Sequence, residues 1–304
     1  MMPKASSKRG VGMWIQKVAG GGVSHLTFAP DGRTLYTSDS SGWITAWDTA
    51  SHAKQRLFQF NLTERCNTRG LFIVEGYLIA GTLGYARVWD VTANALIANM
   101  PNNLSFGRLR PASSGPELLF ISSDRSGLDN YDLSTGQHSR VRQAPPELGG
   151  NLVWFDVSPS GEDIVWINSE RRVVLTRADG LSVPLMPKVS QHSNICFSPD
   201  GNSLVWMDYN HLQTWDLATL SVRLESVPCF SPFSIFAFHP TAPVFAAMNH
   251  QRQLTLFSLQ SGEVIRSLDF ALGRYVQCVS FAPDGLTCAV GGSNKRFAVF
   301  DVDV

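Results

Sequence analysis

Apolar residues recur along this chain in short runs, each broken by a cluster of turn-forming residues. Stretches such as SHLTFAP, RTLYTS, ELLFIS, DIVWIN, SLVWMD and LTCAVG are rich in Val, Ile, Phe, Tyr, Trp and Thr. Residues of this kind fit a pleated, half-buried surface, and runs of this length read as strands. No segment sustains an apolar period of 3.6, so the pattern predicts almost no helix.

The punctuation repeats. Trp-Asp pairs stand at Trp47-Asp48, Trp89-Asp90 and Trp215-Asp216, with weaker copies at Tyr131-Asp132, Leu175-Thr176, Phe257-Ser258 and Phe300-Asp301. Their second residues are 42, 42, 44, 40, 42 and 43 positions apart. A second landmark lies upstream of each pair. It reads FAPDG at 28–32, FSPDG at 197–201 and FAPDG at 281–285, and in weaker form IVEG at 73–76, LRPAS at 109–113, VSPSG at 157–161 and FHPTA at 238–242. Pro presets φ for a turn and Gly accepts positive φ, so the chain reverses there. The segments after the Trp-Asp positions, such as DTAS, DLSTG and SLQSG, are a further turn signal. Each period therefore holds four short strands joined by turns, which describes one antiparallel blade.

These landmarks resemble the WD-repeat family, over residues 13 to 304. The resemblance implies an all-β fold: a single seven-bladed β-propeller of four-stranded antiparallel blades. Its repeats run approximately 13–48, 49–90, 91–132, 133–176, 177–216, 217–258 and 259–304, after a basic tail at 1–12. Family members often carry Gly-His before a repeat and an Asp seven residues before the final Asp. Here no Gly-His occurs, and the latter positions are Ser41, Leu83, Arg125, Ser169, Tyr209, Gln251 and Asn294. The family's buried Asp–His–Ser–Trp network is therefore expected not to form in its usual shape, leaving Trp47, Trp89 and Trp215 as ordinary core aromatics. The last repeat supplies only three strands before the chain ends, and MWIQKVAG precedes the first blade. Pairing 13–19 with 296–303 is expected to close the ring, removing the edge that an open ring would leave.

Composition narrows the function. Lys plus Arg is 25 and Asp plus Glu is 25, so the net charge is zero and offers no case for nucleic acid or an anionic membrane. No stretch is apolar enough for a membrane helix. Charged residues are only 16% of the chain, which leaves a surface suited to protein contact. None of Cys66, Cys196, Cys229, Cys278 and Cys288 forms a CxxC pair, and Cys196, Cys278 and Cys288 read as small buried hydrophobes. A soluble, cytoplasmic protein, monomeric by itself, is the expectation.

Catalytic signatures are missing: there is no GxSxG, GxxxxGK, HExxH or GxGxxG. Ser51-His52-Ala53-Lys54 matches SxxK, but it falls in a turn and stands alone. The histidines have no metal-ligand spacing, and His239 reads as a solvated turn residue. Asp48, Asp90, Asp132, Asp216, Asp301, Asp31, Asp200 and Asp284 start turns, where a carboxylate caps backbone N–H groups two residues on. No catalytic, cofactor or metal residue is assigned, and no cofactor is expected.

Alternate propeller loops emerge on opposite faces. The Pro-Asp-Gly turns and the turns after Trp-Asp share one face. The other carries the blade-to-blade connections and the loop before each third strand. It is richer in aromatic and guanidinium groups: Trp43, Arg65, Tyr85, Arg125, Tyr209, Phe230, Phe233, Arg274 and Arg296. Such side chains dominate interface energies. The expected function is a non-catalytic scaffold that binds a protein or peptide through this face. The alternative is a lactonase-like or quinoprotein-like propeller enzyme with a site on the central axis.

Overall fold

The computed structural model describes residues 13–59, 70–81, 86–100, 109–111, 115–186, 194–207, 211–228, 235–249, 253–268 and 276–302. The chain opens with β1 (Met13–Lys17), which belongs to the last blade. Blade 1 is β2 (Val23–Phe28), β3 (Thr34–Asp39), β4 (Trp43–Asp48) and β5 (Lys54–Gln59). Blade 2 is β6 (Gly70–Val74), β7 (Tyr77–Gly81), β8 (Ala86–Asp90) and β9 (Ala95–Met100). Blade 3 is β10 (Leu109–Pro111), β11 (Glu117–Ile121), β12 (Gly127–Asp132) and β13 (His138–Gln143). Blade 4 is β14 (Leu152–Val157), β15 (Ile164–Asn168), β16 (Val173–Thr176) and β17 (Ser182–Met186). Blade 5 is β18 (Asn194–Phe197), β19 (Ser203–Met207), β20 (His211–Asp216) and β21 (Ser221–Pro228). Blade 6 is β22 (Phe236–Phe238), β23 (Val244–Met248), β24 (Leu254–Ser258) and β25 (Val264–Leu268). Blade 7 is β26 (Val276–Phe281), β27 (Thr287–Gly292) and β28 (Arg296–Asp301), completed by β1. Among the described residues the one helical piece is a 3₁₀ turn at Pro146–Leu148.

A four-stranded blade is apolar on both faces and is stable only when stacked on neighbours. The core is accordingly divided into seven clusters, one in each gap. Leu71, Leu78 and Ala80 meet Tyr36 and Ile44 between blades 1 and 2. Val205 and Leu212 meet Phe245 and Phe257 between blades 5 and 6. The gap between blades 7 and 1 holds Val23, Leu26, Phe28, Leu35 and Trp47 against Ala289, Phe297 and Val299. The remaining four gaps are filled in the same way, so the ring is continuous.

The closing strand pairs antiparallel with β28, Met13 opposite Phe300 and Lys17 opposite Arg296. Val18 extends the ladder by donating to the Lys295 carbonyl at 2.9 Å. Trp14 then clamps blade 7 to blade 1, stacking on His52 at 4.3 Å and meeting Phe297 edge-on at 5.2 Å.

One hydrogen bond locks the two turn families together. Thr49 N–H donates to the Arg33 carbonyl in blade 1, and Val91, Leu133, Leu217, Leu259 and Val302 make the equivalent bonds to Gly76, Pro116, Asn202, Pro243 and Leu286. The Pro-Asp-Gly turns and the turns after the Trp-Asp positions therefore share a face. Blade 2 shortens its first turn to Glu75 and Gly76, at φ 44° and 86°. That is the pattern of a two-residue type I′ hairpin, and it accounts for the weak IVEG landmark.

Two sequence expectations are corrected. Trp47 is more than a core aromatic, because its indole N–H donates to Thr37 Oγ1 at 2.9 Å inside the gap between blades 7 and 1. The register explains why the link is found there and is missing in blades 2 and 5. Thr37 lies two residues beyond Leu35, the cross-strand partner of Trp47. The matching positions are Ala80 in blade 2 and Trp206 in blade 5, neither of which offers an acceptor. Among the described residues the buried indole N–H groups of Trp89 and Trp215 have no partner. His239, in turn, is only 5% exposed. Its Nδ1 accepts from Thr241 N–H at 3.2 Å and Ala242 N–H at 2.9 Å, which leaves Nε2 to donate to the Gly285 carbonyl of blade 7 at 3.1 Å.

Candidate interaction face

The face opposite the Pro-Asp-Gly turns is built on the hairpin loops that lead into each third strand. In blade 1 the Asp39 carboxylate accepts from Ser41 N–H at 2.9 Å and Trp43 N–H at 3.2 Å, while Gly42 turns the chain at φ 80°. Trp43 therefore enters β4 in a fixed direction. Its ring is half-buried because the Arg56 guanidinium of the neighbouring strand lies over it at 4.5 Å. A guanidinium on an indole face is a favourable cation–π pair, so both groups are presented as one rigid unit.

In three other blades a basic residue takes the left-handed slot that Gly42 fills in blade 1. These are Arg125 at φ 56°, Arg171 at φ 70° and Lys295 at φ 66°. A side chain with a Cβ pays roughly 1 kcal/mol or more for such backbone, and where it persists it is held by its surroundings. The holders are visible. Arg125 donates its N–H to Ser122 and accepts at its carbonyl from Leu152 of blade 4. Asp124 beside it accepts from the Ser122 hydroxyl at 2.6 Å, from Ser126 N–H at 3.0 Å and from Arg140 at 3.1 Å. These bonds, the Ser122 hydroxyl foremost, hold its carboxyl well below the usual carboxylate range. In blade 4, buried Asn168 caps Arg172 N–H at 2.8 Å and donates to the carbonyls of Leu148 and Gly149, fixing the loop to the 3₁₀ turn between blades.

Of the residues singled out in the sequence, Trp43, Arg125 and Arg296 stand on this face on blades 1, 3 and 7, and the two arginines are exposed. Arg65, Tyr85, Tyr209, Phe230, Phe233 and Arg274 lie outside the described residues. The sequence reading passed over Arg56, Lys17 and the left-handed setting of Arg125, Arg171 and Lys295. For the last three the signal was their place in the slot of Gly42.

The turn carboxylates do what turn chemistry requires. Asp48 accepts from Ser51 N–H and Oγ–H, Asp132 from Ser134 and Thr135, Asp216 from Ala218 and Thr219, and Asp284 from Leu286 N–H. Ser51 is thus hydrogen-bonded to Asp48, while Lys54 lies over Trp47 at 5.6 Å. The two polar ends of the SxxK match are therefore turned to Asp48 and to Trp47. Cys278 and Cys288 are buried free thiols, with burial pushing both up, and Cys196 is half-buried. Cys66 and Cys229 lie outside the described residues.

The family model for the WD domain, G-beta repeat, matches residues 15–48. That segment begins in β1, the outer strand of blade 7, and ends at Asp48 in the third strand of blade 1. A match that runs from the closing strand into blade 1, on a ring of seven four-stranded blades, supports a WD-repeat propeller. No curated protein matches the chain closely enough to count as a relative. WD-repeat propellers are generally protein-interaction scaffolds. Among the described residues of this one, no three His, Cys, Asp or Glu side chains form a group that could hold a metal ion, and no helix is long and apolar enough to cross a membrane.

Proposed function

We propose that this WD-repeat propeller is a non-catalytic scaffold that binds a protein or peptide through the face carrying Trp43, Arg125, Arg172 and Arg296. The observation that carries the reading is the contrast between the two faces. On the opposite face, Asp carboxylates are consumed by their own turns. On this face, large aromatic and guanidinium groups are set on braced loops, some in backbone that only their surroundings hold. Rigid aromatic and Arg anchors lose little entropy on binding and supply most interface energy. Cytoplasmic residence belongs to the same proposal and is supported by the buried free thiols of Cys278 and Cys288.

The test is capture of a partner by the whole chain, followed by two triple variants. One changes Trp43→Ala, Arg125→Gly and Arg172→Ala. The other changes the exposed Arg33, Gln137 and Gln260 of the opposite face to Ala. Partner loss by the first alone supports the reading; loss by the second alone reverses the face.

A further inference from the structure

Ring closure places two cations opposite each other. Lys17 of β1 and Arg296 of β28 are direct cross-strand partners, and both are exposed. Like charges in that relation destabilise a sheet. A third cation, Lys295, precedes Arg296 in left-handed backbone at φ 66° and is also exposed. None of the three has an ion-pair partner among the described residues. The nearby carboxylate on this face, Asp39, is buried and turned into its own loop, where it caps Ser41 and Trp43. Among the described residues, then, nothing offsets the repulsion.

The surroundings indicate what does. Met13 and Ile15 share a strand face with Lys17 and are 52% and 42% exposed, so an apolar stripe runs along β1 up to the cationic corner. Beside the corner, Gly20, Gly21 and Gly22 form a strap without side chains. It lies so close to Asp39, Ser40 and Ser293 that a Cβ at these glycines would come within 1.6 to 3.0 Å of them. The strap is therefore packed tightly onto its neighbours, and only glycine fits there.

We infer that this edge of blade 7 binds an acidic peptide segment, with carboxylates at Lys17, Lys295 and Arg296 and apolar residues along Met13 and Ile15. The inference rests on the scaffold reading and names its partner's chemistry. A peptide fits better than a nucleic acid or an anionic membrane for two reasons. The cations are confined to one blade edge and adjoin apolar surface. The chain as a whole is neutral, so it lacks the long-range field that gathers polyanions.

The probe is a fluorescein-labelled synthetic peptide with three glutamates at one end and alternating valine and serine at the other. Its control carries glutamine in place of glutamate. The variant is Lys17→Gln, Lys295→Gly and Arg296→Gln. It removes the cross-strand repulsion and puts Gly where φ is positive, so its melting temperature should equal or exceed the parent's. The expected result is binding of the glutamate probe by the parent, a loss of about tenfold or more in the variant, and weak binding of the control. Equal binding by the variant, equal binding of the glutamine control, or preferential binding of single-stranded DNA or phosphatidylserine vesicles through the same residues overturns the inference. A captured partner that is lost by the Trp43, Arg125 and Arg172 variant but kept by this one sinks the inference and leaves the scaffold reading standing. A partner kept by both sinks the two together.

Discussion

The imidazole of His239 in blade 6 donates a hydrogen bond from Nε2 to the carbonyl oxygen of Gly285 in blade 7. The two residues sit so close that a Cβ on Gly285 would meet the ring at 2.4 Å, and Gly285 itself has φ +74°. A turn in one blade is thereby shaped to receive a side chain of the next.

Gly285→Ala should therefore cost more than backbone strain. Gly180 has φ +83° with nothing within 4 Å of its Cβ direction, so Gly180→Ala reports the strain alone, about 1 kcal/mol. Gly285→Ala should add roughly 1–3 kcal/mol for displacing the buried ring and its hydrogen bond. Urea unfolding of the two variants gives the difference; equal midpoints would show that the His239 contact is slack.

The indole bond of Trp47 offers a second comparison. Thr37→Val leaves the buried N–H unpaired and should cost about 1–2 kcal/mol. Ala80→Ser places a hydroxyl at the register position that faces Trp89 and should be neutral or stabilising by up to about 1 kcal/mol. Chemical denaturation reads both, and loss of stability in Ala80→Ser would mean that the gap between blades 1 and 2 is too tight for the oxygen.

Trp14→Ala should destabilise the whole ring by about 2–3 kcal/mol, because the residue packs on both His52 and Phe297 and so ties the closing strand to blade 1. A single cooperative transition at lower denaturant is the expected readout. Unfolding of blade 7 alone, in a separate early transition, would contradict a ring that shares its stability.

Acid should weaken the turns on the Pro-Asp-Gly face. The hydroxyl of Ser134 and the N–H of Thr135 hold the Asp132 carboxyl down to about 2, below its ordinary value. A carboxyl whose folded value is depressed stabilises the fold above its unfolded value, and that contribution drains away as pH falls toward about 2. NMR titration of Asp132 should show the low midpoint, and Asp132→Asn should flatten the fall in thermal stability across that acid window. An ordinary midpoint near 4 would show the cap to be broken in solution.

What the sequence disclosed was local or periodic. A Pro-Asp-Gly turn needs only its own residues, and Asp48, Asp132 and Asp216 cap amides two or three positions away. The closing strand was legible because a missing fourth strand at one end matched a spare strand at the other. What stayed hidden depends on register or on the neighbouring blade. His239 looked like a solvated turn residue because Gly285 is 46 positions away. Trp47 looked like a plain core aromatic until the ladder set Thr37 beside it. Trp43 was found, but not its cover, since Arg56 reaches it from the next strand. The facing of Lys17 and Arg296 follows from register alone. Arg65, Tyr85, Tyr209, Phe230, Phe233 and Arg274, chosen for chemical type, lie outside the described residues.

The pairing of β1 with β28 also sets an order of events during synthesis. Of the described strands of the ring, β1 is made before all others, and β28, with which it pairs, is made after all others. Until β28 is made, Met13, Trp14 and Ile15 lack their ladder, while the nascent blades offer them several wrong ones. Contacts of such sequence separation form slowly, and unpaired apolar strands are the species that aggregate. The two like charges at the end of the ladder then acquire a second meaning: a lysine on a waiting strand discourages premature pairing and misassembly between copies.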